Sequence, residues 1–585
     1  MSKKYYVTDS ELSERFPLYT RANVGEVFPD PVTPLTGSGF MFHSEIAWRE
    51  AWDRVGAFRM DEFPPEEMAQ LGITGGYCYL NASLIRLFGE RAPGLSWKDM
   101  DEQFFGAQPG IPPYVAVDGD VDLAATEKIG GTFGWALSLT KIEDLEELTD
   151  DRNDTKQLRA DRPDYSSMSN EEIWSIYLGA APEHRRYFSH HIFTTYMATV
   201  PVGIISAVAT AVERPDLIMP IIAGIGQVDS AEPSHAMWDL GRSAAASSEV
   251  TATFDAGVHG VLETLRASDS ADVIAWLEQF EAFLAEFGSR GPNEWETRSN
   301  SWETHPALAL SAIDRMRLSP ASMAPGLQFT ERASERATAS ATLLAMVEGD
   351  AETHGQLDAA IASSAAWLPG RERTKTNNIR FIHELRVALR ELGRRMVEAG
   401  GFDEIEDFAM VQEDEWSALL AAPTSMLETV RERRAEYDEL LKREPPFIFD
   451  GEPEPPSTWR VKGEDVPDKL VAGDVLQGLP GCPGSAEGRA RVILDSHDPL
   501  ALEPGDILIA PITDPSWTPL FVPSAAVVVD VGAALSHAII VSRELGIPCV
   551  ISATQATEKI PDGAMIRVSG DTGTVEILSV DEPPM

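Results

Sequence analysis

The sequence predicts a mainly α body followed by a small α/β domain, and three observations carry that reading. Apolar residues recur at helical spacing through the middle of the chain. Val273, Leu277, Phe280, Leu284 and Phe287 share one face, as do Ile382, Leu385, Leu389, Leu392 and Met396, a run closed by Gly400-Gly401. Short β-type runs bounded by turn residues fill the C-terminal part, at 490–494, 506–510, 525–531, 548–552, 565–569 and 574–578. Between the two lies a stretch, 443–470, that holds Pro445-Pro446, Glu452-Pro453-Glu454-Pro455-Pro456 and Pro467. Its composition predicts a stiff acidic linker that tethers the last domain, 471–585, while letting it move.

Taken in order, residues 1 to about 145 read as an irregular arm rich in aromatics, Gly and Pro, and the run from Thr20 to Leu35 is too proline-rich for a regular element. Residues 143–164 are charged and loop-like. No strand–helix alternation occurs in 165–442, which is expected to be the helical body of a unit spanning 1–442. In the C-terminal domain the run 525–531 reads as a buried strand that stops at Gly532. A helix is expected over 536–545, ended by Gly546 with Pro548 behind it. His537 therefore falls in the first turn of a helix, where free N–H groups and the helix dipole favour an anion. A neutral imidazole at such a corner is a good nucleophile and can carry a phosphoryl group. A capped surface histidine is the alternative.

At 585 residues the chain is too long for one core. It has 93 acidic against 48 basic residues, a net charge of −45, which opposes affinity for nucleic acid or anionic membrane. A phosphate site must then be a local basic exception. Cys78, Cys482 and Cys549 match no zinc spacing and imply a reducing compartment. His184, His190 and His191 lack ligand spacing, so no metal site is expected. The N-terminus runs straight into polar sequence, without the pattern of a signal peptide. The apolar run 197–212 contains Thr199, Pro201 and Ser206, is short for a bilayer span, and is expected to be a buried helix of a cytoplasmic protein.

Three segments near the C-terminus resemble the phosphohistidine mobile domain of the PEP-utilising dikinase family: Asp514-Pro515-Ser516-Trp517-Thr518-Pro519-Leu520, Leu535-Ser536-His537 and Arg543-Glu544-Leu545-Gly546-Ile547-Pro548. Leu479-Pro480-Gly481-Cys482-Pro483-Gly484 through Gly488-Arg489-Ala490-Arg491-Val492 is similar to its opening, and Gly570-Asp571-Thr572-Gly573 to its closing turn. Ala533 and Ala538 stand where the family usually has glycine. The resemblance implies a small swivelling domain with His537 as phosphoryl carrier. Residues 20–35 and Gly75-Gly76-Tyr77-Cys78-Tyr79-Leu80-Asn81 resemble the start of the family's acceptor domain. Phe287-Gly288-Ser289-Arg290-Gly291-Pro292-Asn293-Glu294 resembles its Tyr-Gly-x-Arg-Gly-x-x-Glu segment. By that likeness Arg290 and Glu294 orient an acceptor; an ion pair that fixes a turn is the other reading. Trp302 and His305, just beyond, fit core packing better than an acceptor wall.

Arg371-Glu372-Arg373-Thr374-Lys375 resembles the family's Arg-Glu-x-x-Lys element and reads as the opening of the last long helix. Arg371 and Lys375, four apart, share a face and place two cations where a migrating phosphoryl needs its oxygens neutralised; a solvated basic patch is the alternative. No Walker loop, glycine-rich nucleotide fingerprint or ATP-grasp region is visible, and no pyruvate-binding barrel follows the histidine domain. The resemblance thus implies one subunit of a split phosphotransferase that binds no cofactor directly. A separate ATP-grasp subunit would supply ATP and Mg2+ and phosphorylate His537, with AMP and phosphate released overall. The acceptor is expected to be a small hydroxyl compound, foremost a phenol such as 4-cresol, as in aromatic catabolism. A rifamycin-type antibiotic phosphotransferase component, and a non-catalytic phosphocarrier or regulatory subunit, are the alternatives.

Overall fold

The computed structural model describes residues 4–65, 67–106, 108, 110–117, 119–226, 228–464, 466–494, 502–513, 517–532 and 536–580, with the side chains of 326–331 left aside. The motif residues Asp514, Pro515, Ser516, Ala533, Ala534 and Leu535 lie outside these. The mainly α body and the α/β domain are both present. Five helices position the site: α1 (Met41–Val55), α2 (Ala181–Ala211), α3 (Ala271–Phe287), α4 (Ala351–Glu398) and α5 (His537–Leu545).

Helix α4 is the axis of the body. At 1.5 Å per residue its 48 residues run for ~72 Å, and its apolar face, including Trp367, Ile379, Ile382, Leu385 and Leu389, is fully or almost fully buried. It packs along α2, which in turn packs on α1. Gly370 permits a close approach, because a Cβ there would sit 3.2 Å from Leu145 Cδ1 and 3.4 Å from Thr194 Cγ2 of α2. The apolar run that begins at Met197 lies inside α2. By length and hydropathy the span Asn170–Ala211 meets the criterion for crossing a membrane, but 56% of its apolar window is buried inside the protein. It serves as a core element here.

Three expectations need correction. Residues 1–145 are not an irregular arm: they hold helices Met41–Val55, Ala82–Arg91, Trp97–Phe105 and Leu123–Ala136, and strands β1 (Leu18–Thr20), β2 (Leu71–Thr74) and β3 (Tyr77–Asn81). Aromatic residues misled the reading because they fill a core shared with α2, where the rings of Trp52, Phe88 and Tyr196 meet tilted and edge-on with centroids within 5.2 Å. The stretch 143–164 is largely helical, with Glu146–Ala160 folded into a helix whose acidic first turn suits the dipole. The Pro/Glu-rich stretch is not a free linker. Its strand β4 (Ile448–Asp450) pairs with β1 to complete the sheet β2-β3-β1-β4, and Trp459 packs against Tyr77 at 5.9 Å. From Lys469 onward the chain already bonds to the last domain, so the connection is confined to the few residues after Lys462.

That last domain is one eight-stranded sheet in the order β5-β12-β11-β7-β8-β9-β10-β6. The strands are β5 (Val475–Gln477), β6 (Leu479–Cys482), β7 (Ser485–Val492), β8 (Ile507–Ala510), β9 (Ala526–Val529), β10 (Cys549–Ile551), β11 (Met565–Ser569) and β12 (Thr574–Ser579). The four central strands, β7 to β10, are parallel, and β11 and β6 flank them antiparallel. Strands β8 and β9 are buried throughout, as their unbroken Ile-Leu-Ile-Ala and Ala-Val-Val-Val sequences require. Strands β5 and β6 escaped the sequence reading because Gly478, Pro480 and Gly481 interrupt them. One face of the sheet packs on helices of the body around α3.

Candidate functional site

In an open parallel sheet, ligands sit beyond the carboxyl ends of the strands. Loops from the ends of β8 and β9 meet there. Thr513 and Thr518 follow β8, and α5 begins at His537 with Ser536 as its N-cap, after β9. The helix closes as expected, with Gly546 at φ 69°, in the left-handed region that glycine adopts without penalty.

The His537 ring lies between two hydroxyls of its own domain, Nδ1 3.2 Å from Thr513 Oγ1 and Nε2 3.2 Å from Thr518 Oγ1. The edge of Phe521 packs against it. Its backbone N–H donates to Glu26 Oε2 of the body at 3.1 Å, so a carboxylate takes the anion position at the start of α5. The ring is 5% exposed, yet it is not in the interior of either domain: it forms part of the wall of a cavity between them. Burial first, and then the charges of Lys375, Arg290 and Arg371, hold its pKa well below the ordinary histidine value. The imidazole is therefore neutral at physiological pH, as a nucleophile must be.

The cavity has a volume of about 150 Å³ and a mostly apolar wall. Helix α2 supplies a stripe at helical spacing, Phe188, His191, Ile192, Thr195, Tyr196 and Thr199. Trp48, Phe104 and Trp295 add aromatic surface, and Arg371, Glu372 and Lys375 form the charged corner beside His537.

Arg371 and Lys375 thus share a face as the spacing predicts, but they do not open a helix. They lie near the middle of α4, after Pro369, so no helix dipole acts on them. Arg371 Nη1 donates to Glu372 Oε1 at 2.8 Å, and its Nε has no hydrogen-bond partner among the described residues. Lys375 forms no ion pair within 4 Å among the described residues. Desolvation lowers its pKa, against the pull of Glu294 and Glu372. Arg290 and Glu294 stand just behind the wall as a buried pair, Nε to Oε2 2.8 Å. The turn that carries them is held by Arg386, whose Nη2 donates to the Glu294 and Glu296 carbonyls at 2.7 and 3.0 Å. The structure therefore joins His537, Arg371 and Lys375 at one cavity and places Arg290 and Glu294 in a buried ion pair behind its wall. Trp302 is core, stacked on Phe283.

Comparison with known proteins agrees with this division. Residues 502–573 match the PEP-utilising enzyme mobile domain, and residues 190–372 match the rifampicin phosphotransferase fourth domain. The chain carries a PEP-utilising mobile domain. It is 36% identical over 317 residues to an uncharacterised protein of Mycobacterium tuberculosis, covering 53% of this chain and 33% of that one. It is 32% identical over 311 residues to rifampicin phosphotransferase of Streptomyces sviceus, covering 52% and 34%, and 32% identical over 325 residues to the prodigiosin synthesizing transferase of Serratia marcescens, covering 54% and 35%. The chain spans about a third of the length of these relatives.

The site also holds residues to which the sequence reading gave no role there: Thr513, His191 and Glu26, through which the body bonds the His537 N–H. Two of them left a trace. Thr518 and Thr513 bracket the Pro-Ser-Trp motif, and His191 falls in the α2 stripe at 188, 191, 192, 195, 196 and 199. That spacing puts it on the same face as the aromatic residues, although adjacent His190 turns away to Asp151 at 2.6 Å. Glu26 left none, because its contact spans 511 positions.

Proposed function

We propose that this chain is the histidine-carrying, acceptor-binding subunit of a two-component phosphotransferase. A separate ATP-grasp subunit phosphorylates His537 from ATP and Mg2+, and the mobile domain then returns to the docked position described above. There the acceptor hydroxyl oxygen attacks phosphorus. The P–N bond breaks with its electron pair returning to the ring nitrogen, and an O–P bond forms. Overall ATP, water and acceptor give AMP, phosphate and the phosphorylated acceptor. Transfer through a loose transition state needs position and positive charge more than a strong base, which is what Arg371 and Lys375 supply.

One observation carries this reading: a mostly apolar cavity lined by His537 and two cations. It speaks for an enzyme over a carrier that docks on a protein, for which an open groove would serve. Its size speaks for a phenol. A cavity of about 150 Å³ with an apolar wall is the volume that accommodates benzene, and burying one aromatic ring in it gains ~1.5–3 kcal/mol. A rifamycin-type acceptor is the second reading, favoured by the relatives named rifampicin phosphotransferase; it requires the cavity to open widely.

The test combines the chain, a candidate ATP-grasp partner, labelled ATP and a panel of phenols and rifamycins. Acid-labile, base-stable phosphate is expected on His537, followed by an aryl phosphate. Product formed at the normal rate by His537→Ala would end the proposal, and turnover of rifamycins without phenols would move it to the second reading.

A further inference from the structure

His191 is half-buried beside the charged corner of the cavity, and a chain of two hydrogen bonds bears on its tautomer. The Thr374 hydroxyl donates to the Arg371 carbonyl at 2.8 Å. With its one proton committed there, Thr374 Oγ1 can only accept, and the atom facing it at 3.0 Å is His191 Nδ1. Nδ1 therefore carries the ring proton, and Nε2 keeps a free lone pair. No protein donor reaches Nε2 among the described residues. The ring is steadied by Trp295, centroid to centroid 5.6 Å, and by the edge of Phe188 at 6.2 Å, and it forms part of the same wall as Arg371, Lys375 and His537. The structure thus sets a neutral imidazole with an open nitrogen on the wall of the space an acceptor would fill.

We infer that His191 is the general base of the transfer, accepting the acceptor's hydroxyl proton on Nε2 as the oxygen attacks phosphorus. The inference rests on the phosphotransfer reading above. The proton leaves oxygen for Nε2, the new O–P bond takes the oxygen electron pair, and the His537 nitrogen recovers the pair of the broken P–N bond. The imidazolium then loses its proton to water once the domain undocks. In the empty cavity burial, with Arg371 and Lys375, holds the His191 pKa well below its ordinary value. These two cations on α4, the Glu372 carboxylate between them, His537 on α5, the Glu26 carboxylate and the Tyr196 hydroxyl share the cavity wall with it. An incoming phosphoryl dianion offsets the two cations, so the ring gains basicity as the phosphoryl group arrives.

The experiment is single-turnover transfer from phospho-His537, prepared on the full chain with its partner and labelled ATP. The variant is His191→Asn, whose side-chain amide still donates to Thr374 but offers nothing in place of Nε2. Formation of phospho-His537 is expected to be unchanged, which also reports a folded protein. Transfer to 4-cresol is expected to fall ~100-fold or more, within the range for one general base, while transfer to 4-nitrophenol, a far stronger acid that is partly ionised at neutral pH, falls far less. Equal loss with both acceptors, or no loss, would overturn the assignment. Absence of phospho-His537 in the unsubstituted protein would instead overturn the phosphotransfer reading, and this inference with it.

Discussion

The two halves of the site are built from different materials. On the carrier side His537 is surrounded by neutral groups, the hydroxyls of Thr513 and Thr518 and the ring of Phe521. On the acceptor side stand Arg371, Lys375, Glu372 and His191, set in an aromatic wall. Among the described residues, the cations that could compensate a phosphoryl group on His537 stand on the body. Under the proposed transfer, this asymmetry would assign charge stabilisation to the acceptor side and the bond to be broken to the carrier side.

Breaking the asymmetry at Lys375 has the largest expected effect. Lys375→Ala removes the cation that lacks an ion-pair partner within 4 Å among the described residues and leaves Arg371 tied to Glu372. Transfer from phospho-His537 is expected to slow ~10²–10³-fold, the usual loss for one preorganised charge-stabilising group, with phosphorylation of His537 by the partner unaffected. Rapid-quench measurement of the two half-reactions separates them. A variant that loses both equally would show that the cation serves folding or docking, and the contrast between the halves would lose its meaning.

How much of this was legible follows the same divide. The carrier half is local in sequence. A strand, a corner, one histidine and a glycine stop all lie within 525–546, and periodicity with turn chemistry finds them. The acceptor half is assembled from residues far apart, His191 on α2, Trp295 after α3 and Arg371 on α4, and the Arg-Glu-x-x-Lys spacing is what marked its cations. Even there the position within the helix was misread. Pro369-Gly370 looks like a helix start, because proline is at home in a first turn and costly in an interior. The core contacts of α4 with α2 outweigh that preference. The N-terminal sheet was hidden for the same reason: β1 pairs with a strand 430 residues away (Thr20↔Ile448 to Leu18↔Asp450), in a stretch whose prolines read as linker.

Filling the cavity sharpens the comparison with a moderate effect. Thr195 faces the space from α2, and its hydroxyl is buried without a partner among the described residues. Thr195→Leu removes that unsatisfied group and takes up room. The change is expected to leave stability near or above the unsubstituted value and to lower kcat/KM for 4-alkylphenols ~10–100-fold, with a smaller loss for phenol itself. Steady-state kinetics across a series of para substituents checks it. Equal losses across the series would mean that the acceptor does not sit against α2.

The smallest expected effect tests the carrier domain by itself. Asp530, at the end of β9, accepts hydrogen bonds from Thr557 N–H at 2.9 Å and Thr557 Oγ1–H at 2.5 Å, which ties the strand end to the helix Ala556–Lys559. Burial outweighs these bonds and pushes its pKa up to about 7. A carboxyl whose folded pKa lies above its unfolded value, ~3.9, binds its proton more tightly in the folded state. Its contribution to stability is therefore full below pH ~4 and is lost as pH rises through about 7. The depressed pKa values of His191 and His537 act in the opposite sense, lowering stability as pH falls below ~6.5. Asp530→Asn keeps an acceptor for the Thr557 N–H and removes the ionisation. Thermal melts of the full chain at pH 5 and pH 8 are expected to show the variant gaining several degrees over the unsubstituted protein at pH 8 and little at pH 5. The gain belongs to the transition of the mobile domain, because the group lies in that sheet. An equal gain at both pH values would trace the effect to packing, and the ionised carboxylate would then be no burden on the carrier half.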